Sequence, residues 1–288
     1  MNALETAADL LPQKMGQALR KTVKDPPEEL RLRIGRRPAV LIGETDKVLD
    51  TEPVSREDLL QIMEKATGAS MHCAAPALAE GYISYRGLRI GVCGTVVLKE
   101  GRITGIRAVS SLTVRIPADI PGVCAGLAKQ LSEPRFESTL LIAKPGGGKT
   151  TALRDLIRAL SDAGFCIGVV DERNELSASV QGMPQFDLGC RSDVLIGVSK
   201  AEGAIVLLRG MAPQIIAVDE ITRPRDVEAI EQIHGCGVKL LATAHAASRR
   251  DLEQRPLYRR LLENRVFRNL VTIQKQGSHR RYLTEKLA

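Results

Sequence analysis

Aromatic residues make up only 3% of the 288-residue chain, with no tryptophan, four tyrosines and four phenylalanines. So sparse a set does not support the stacking platforms on which single-stranded nucleic acids are held. No run of about 18 apolar residues occurs, which argues against a membrane-spanning helix. The opening stretch MNALETAADLLPQKMGQALRK is acidic early and has no long apolar core, so no secretory signal is expected. The six cysteines (73, 93, 124, 166, 190 and 236) stand far apart with no C-x-x-C pair. That spacing suggests neither a zinc site nor a disulfide framework, and buried free thiols in a reducing cytosol are expected. Internal repeats and low-complexity tracts are absent as well.

What is present is an ordinary globular composition, 44% apolar and 26% charged. The length suggests about two domains. Net charge is +7, from 41 basic and 34 acidic residues. The excess gathers near the end, in Arg249, Arg250, Arg255, Arg259, Arg260, Arg265, Arg268, Lys275, Arg280, Arg281 and Lys286, opposed by Asp251, Glu253, Glu263 and Glu285. Such a patch suits an anionic partner or a solvated helical face.

The stretch LLIAKPGGGKTTALRDL, residues 140–156, carries the strongest chemical signal. A β-branched apolar strand leads into Ala143, Lys144, Pro145, Gly146, Gly147, Gly148, Lys149, Thr150 and Thr151, and helical spacing follows at 153, 156, 157 and 160. Three successive glycines let backbone N–H groups converge on one anion, and the new helix adds the positive end of its dipole. Residues Lys144 to Thr151 are therefore expected to hold ATP. Lys149 would reach the β- and γ-phosphates and Thr150 would help hold Mg²⁺. Ala143 stands where the pattern's first glycine belongs; at a strand end, one added methyl should be tolerated.

Further signals follow at other strand ends. PQIIAVDEI places Asp219 and Glu220 after an apolar strand, with Asp219 expected at Mg²⁺ and Glu220 at the attacking water. GVVDERNEL ends a second strand in Asp171, Glu172, Arg173, Asn174 and Glu175, so Glu172 and Glu175 compete with Glu220 for the role of base. LLATAHA places His245 just beyond a third strand, where it would sense the γ-phosphate. Arg209, Arg223 and Arg225 flank the Asp219 strand, and arginines often complete phosphoryl-transfer sites across a subunit boundary.

Hydrophobic periodicity separates two halves. In the first, Leu30, Leu32 and Ile34 alternate with charges as in a half-buried strand, Ser55 stands three residues before Asp58 as a helix start, and residues 81–117 read as strands broken by glycines. The second alternates strands (139–142, 166–171, 214–219, 238–243, 270–274) with helices (150–162, 201–210, 225–234, 249–263). That order predicts a parallel sheet covered by helices, with ligands beyond the carboxyl ends of its strands. The expected organisation is an α+β domain at 1–117, a linker at 118–135 and a P-loop α/β domain at 136–288.

The order DERNEL (171–176), LLRGMAPQIIAVDEI (207–221) and ATAHA (242–246) resembles the secretion-type ATPases, with their phosphate loop, acidic box, strand-end glutamate and histidine box. Closer still is the resemblance to the stage III sporulation protein AA family. It is carried by EELRLRIGRRP, GYISYRGLRIGVCG, VSSLTVRIP, VVDERNEL, GMPQFDLGCRSDVL, SKAEG and LLRGMAPQIIAVDEI, and it spans roughly residues 28 to 275. The resemblance implies a RecA-like core and a cytosolic ATPase working at a membrane on the mother-cell side. Its partners would be the membrane channel proteins of the stage III sporulation A operon, at the channel joining mother cell and forespore. It further implies a homo-oligomeric hexameric ring with ATP between neighbouring subunits. The implied site residues are Lys149 and Thr150 in the loop, Asp171 to Glu175 as the acidic box, Asp219 and Glu220 at the Mg²⁺ strand, and His245. Besides Ala143, Thr222 departs from the family pattern, standing where relatives often have glycine. The alternative reading is a recombinase-type motor stimulated by nucleic acid, drawn from the basic end and the segment 177–193. A small-molecule kinase lacks a lid insertion and leaves the first half without a role.

Overall fold

A computed structural model describes residues 3–23, 27–43, 45–68, 78–79, 81–117, 119–276 and 279–287; Cys73 lies outside them. The chain divides into two compact units, Met1–Ala118 with Ala178–Gln181, and Asp119–Ser177 with Gly182–Ala288.

In the first unit, helices α1 (Ala3–Leu10), α2 (Gln13–Thr22) and α3 (Arg56–Thr67) accompany six strands: β1 (Glu29–Arg33), β2 (Ala39–Ile42), β3 (Thr45–Val48), β4 (Tyr82–Tyr85), β5 (Leu88–Lys99) and β6 (Arg102–Arg115). The strands form an antiparallel sheet in the order β3-β2-β1-β6-β5-β4. Alternation decides which face is covered. Leu30 and Leu32 of β1, Ile90 of β5 and Val114 of β6 lie in the core with Leu19 of α2 and Leu59 and Ile62 of α3. Helix α3 starts on the expected signal: the Ser55 side chain accepts from Asp58 N–H while the Asp58 carboxylate accepts from Ser55 N–H. The β4–β5 and β5–β6 connections place both central residues at positive φ, Arg86 (44°) with Gly87 (82°) and Glu100 (52°) with Gly101 (74°). That conformation matches the twist of paired antiparallel strands.

The second unit holds α4 (Ala125–Ser132), β7 (Thr139–Ala143), α5 (Lys149–Asp162), β8 (Ile167–Asp171), β9 (Ser192–Ile196), α6 (Lys200–Met211), β10 (Ile215–Val218), α7 (Pro224–Gly235), β11 (Lys239–His245), α8 (Arg249–Gln254), α9 (Pro256–Glu263), β12 (Asn269–Gln276) and β13 (His279–Lys286). Its sheet runs β13-β12-β7-β11-β10-β8-β9, parallel except for the β12–β13 pair. Strands β7, β8 and β10 are buried at every position, as a parallel sheet covered on both faces requires. Separate apolar clusters fill the two faces: Leu140, Ile142 and Ile216 belong to one, Leu141, Val169 and Ile215 to the other.

Three expectations are corrected here. Within the stretch 118–135, read as a linker, α4 packs into the second unit's core through Cys124, Leu127 and Leu131. The buried Asp155 carboxylate fastens it by accepting from Gly122 N–H (2.8 Å) and Cys124 N–H (2.7 Å). The helix expected at 249–263 is broken: Arg255 is extended (φ −97°, ψ 118°) because the proline ring at 256 disfavours helix in the residue before it. The free thiols are mostly not buried either; Cys93, Cys190 and Cys236 are exposed and Cys124 is buried.

Candidate functional site

The parallel strands direct their carboxyl ends to one edge of the second sheet, and the loop 144–148 leaves β7 there. Gly146 (φ 69°) and Gly148 (φ 89°) hold left-handed backbone that a side chain would strain. A side chain on Gly147 would meet the Ala143 methyl at 2.6 Å and Lys144 O at 2.9 Å. This explains how Ala143 is tolerated: its methyl is buried in the space that a glycine at 147 leaves free. Helix α5 then begins at Lys149, with Thr150 and Thr151 in its first turn, while Lys144, Pro145 and Gly146 stay exposed.

Strand β11 lies beside β7, and His245 pairs in register with Ala143. Lys149 and His245, 96 positions apart, thereby meet with Nζ 2.8 Å from Nδ1. An ammonium can only donate, so Nδ1 accepts and Nε2 carries the imidazole hydrogen. That Nε2 lies 3.1 Å from Glu220 Oε1, giving a continuous chain from Lys149 through His245 to Glu220. Arg173 stands 3.9 Å from the other Glu220 oxygen. Glu220 has φ 56°, uncommon for a residue with a Cβ, and its N–H donates to Thr243 Oγ1 at 2.8 Å. After it, Thr222 N–H donates to Asp226 Oδ2 (3.1 Å), so the turn closes without a glycine at 222.

Asp219 is held from two sides. Thr150 donates to Oδ2 at 2.8 Å and Thr243 to Oδ1 at 2.6 Å. Lys149 is buried and, among the described residues, forms no ion pair. Its pKa is lowered, first by desolvation, with Asp219 and Glu220 pulling the other way.

The acidic box is placed elsewhere. In the sheet, β10 and β11 stand between β8 and β7. Asp171 is buried and serves as an anchor for its own loop, accepting from Glu175 N–H (2.8 Å), Leu176 N–H (3.1 Å), Ser177 N–H (2.8 Å) and Ser177 Oγ (2.7 Å). Buried Arg154, which the sequence reading overlooked, grips the same loop through Glu175 O (2.6 Å) and Leu176 O (2.8 Å) and stacks over Phe186 at 4.1 Å. The Glu172 carboxylate is taken by Lys200 and by Arg223 at 3.5 Å. The Glu172 carboxylate is thus engaged by two cations, which sets it apart from Glu220 as a candidate base, while Glu175 is held through its backbone N–H and C=O. Arg209 is exposed in the last turn of α6, which leads back to the amino end of β10, the edge of the sheet opposite the loop; it does not join this chain's own site. Arg225 is exposed on α7.

Among the described residues no group of three or more His, Cys, Asp or Glu is gathered for a resident metal, and no helix is long and apolar enough to cross a membrane. Three of the eleven basic residues of the end patch are in ion pairs: Arg249 with Glu253 (2.8 Å) and Glu285 (2.5 Å), Arg255 with Asp251 (3.1 Å), and Arg260 with Glu231 (2.5 Å).

Known proteins share this architecture. The fold superposes on the X-ray structure of the Legionella pneumophila ATPase DotB with a TM-score of 0.63, at 16% identity, covering 96% of this chain and 80% of that one. The pilus retraction motor PilT with bound ADP matches with a TM-score of 0.58, also at 16% identity, over 95% and 81% of the two chains. The fold is therefore that of a RecA-like P-loop core preceded by a smaller α+β unit. In sequence the chain is 36% identical over 270 residues to the stage III sporulation protein AA of Bacillus subtilis (strain 168), spanning 90% of this chain and 87% of that protein. The family model described as "Sporulation stage III, protein AA" matches residues 1–283, and the chain belongs to that family.

Proposed function

We propose that the chain is an ATPase that binds Mg·ATP at residues 144–151 and hydrolyses it. The observation that carries this reading is Lys149: a buried ammonium at a helix start, beside left-handed glycines, with no ion pair of its own among the described residues. Burying an unpaired charge is costly unless an anion completes the site. The hydroxyl of Thr150 and the carboxylate of Asp219 are hard oxygen donors of the kind Mg²⁺ takes alongside phosphate oxygens. Bound there, Mg²⁺ would neutralise charge on the β- and γ-phosphates.

The protein's own groups divide the remaining work. Lys149 binds the phosphates, with loop N–H groups and the α5 dipole. Glu220 accepts the proton of the attacking water as the γ-phosphoryl bond to ADP breaks. His245 Nε2–H fixes the orientation of that carboxylate and joins it to the lysine that senses the phosphate. Asp219 is kept from swinging by Thr243. Lys149→Ala should lower turnover by at least about 100-fold, and Glu220→Gln should do so while still binding nucleotide. Turnover by Lys149→Ala at the parent rate would show the assignment to be wrong.

The finer reading is that hydrolysis powers or assembles a secretion-type membrane channel between mother cell and forespore. The protein would act from the mother-cell cytoplasm as a hexameric ring, held at the membrane by the other stage III sporulation A operon proteins. Family membership and the shared fold with DotB and PilT support this. The scarcity of aromatic side chains, 3% of the chain, favours it over a motor that grips single-stranded nucleic acid. Solution mass with a non-hydrolysable ATP analogue tests the ring, and single-stranded DNA at low salt should leave turnover unchanged.

A further inference from the structure

The β12–β13 hairpin brings a cation to the phosphate loop. A Cβ built on Gly148 would lie 3.3 Å from Arg280 Nε and 3.9 Å from its Cδ, so the guanidinium sits directly over the last glycine before Lys149. Period-two geometry sets Arg280, Tyr282 and Thr284 on one face of β13 and Arg281 on the other. That face is tied down: Tyr282 is hydrogen-bonded to the buried Cys124, whose thiol burial pushes up to about 12, and Thr284 Oγ1 donates to Gln130 Oε1 at 3.4 Å. Strand order then fixes the direction of approach. Glu220 and His245 reach the loop from the β11–β10 side of β7, whereas Arg280 reaches it from the β12–β13 side.

We propose that Arg280 is a nucleotide-binding residue supplied by the same chain, donating to the α- and β-phosphates from the flank opposite the hydrolytic carboxylate. The proposal rests on the reading of the loop as a nucleotide site. A group on that flank serves the part of the ligand common to ATP and ADP and takes no share in the attack on the γ-phosphorus. An arginine suits the position because its planar fork can hold two phosphate oxygens at once. It also answers a need of the loop, since the bound phosphates carry more charge than Lys149 alone balances.

The test is calorimetric titration of the full chain with Mg·ADP and with a non-hydrolysable Mg·ATP analogue. Arg280→Ala should weaken both by about 10- to 100-fold, with their ratio unchanged. Arg280→Lys should recover part of the loss, and Arg281→Ala, on the outer face, should bind like the parent. Circular dichroism and thermal melts establish that each variant is folded; Arg280→Gln, which keeps most of the volume, replaces the alanine variant if that one does not fold. Unchanged ADP affinity in a folded Arg280 variant, with the parent binding and Lys149→Ala not binding, overturns this inference and leaves the ATPase reading standing. A loss confined to the ATP analogue would move Arg280 to the γ-phosphate and overturn it too. A parent that binds neither nucleotide brings down both.

Discussion

The two sheets bury their strands differently, and the difference locates the chemistry. In β1 of the antiparallel sheet, Leu30 and Leu32 are 0% exposed while Arg33 between sheet and solvent is exposed and Arg31 is half-buried. The outer face carries Arg31, Arg33, Arg89 and Arg115, with Arg89 stacked 4.3 Å from the Tyr82 ring centroid. In the parallel sheet, β7, β8 and β10 are covered on both faces, and their only polar side chains, Thr139 and Asp171, stand at strand ends. The titratable side chains gather where the parallel strands stop, and Asp171, Asp219, Glu220 and His245 all stand there. An antiparallel sheet with one free face can offer a surface; a doubly covered parallel sheet can offer only its edge.

That contrast breaks if neighbouring residues respond alike in both sheets. Leu140→Ala and Leu141→Ala, on opposite faces of β7, should each lower unfolding free energy by about 3 kcal/mol. In β1, Leu32→Ala should match them, but Arg31→Ala should cost about 1 kcal/mol or less, because Arg31 and its partner Glu29 are only half-buried and Asp46 is exposed. Urea titration of the four variants decides it. A smaller effect is expected at a strand end. Asp171→Ala removes the acceptor for three backbone N–H groups and the Ser177 hydroxyl, and should cost about 2 kcal/mol while sparing Mg·ADP binding.

The smallest effect has the opposite sign. Lys149→Met should stabilise the nucleotide-free chain by about 1 kcal/mol, read as a rise in Tm. Burial lowers the Lys149 pKa beneath its ordinary 10.5, so the unfolded chain holds that proton more tightly than the folded one. The penalty is complete at pH below the folded pKa and fades as pH rises toward 10.5, so the gain in the methionine variant should shrink over the same interval. A melt series from neutral pH upward measures it.

How far the sequence could be read follows from the same contrast. Strands buried on both faces appear as apolar runs, and the five expected in the second half correspond to β7, β8, β10, β11 and β12. Two others escaped. β9 is half-exposed along most of its length and opens with the polar pair Ser192 and Asp193. β13 reads HRRYLTEK, whose charges hide its alternation, and it is held by pairing with β12. The loop 144–151 was visible because its chemistry is local. The meeting of Lys149, His245 and Glu220 was not, because it depends on β11 and β10 lying next to β7 while β8 lies farther out. For the same reason Glu172 looked equivalent to Glu220 in sequence, although Lys200 and Arg223 claim it in space. Arg280 stood among eleven basic residues near the end with nothing local to single it out, since only the hairpin's return carries it over Gly148.

The antiparallel return of β13 also closes off one way of growing. It terminates the seven-stranded sheet with a row of ionic side chains, Arg281, Glu285 and Lys286 among them, and an incoming strand docking there would have to strip their water. Copies of this fold are thus discouraged from joining sheet to sheet on that side.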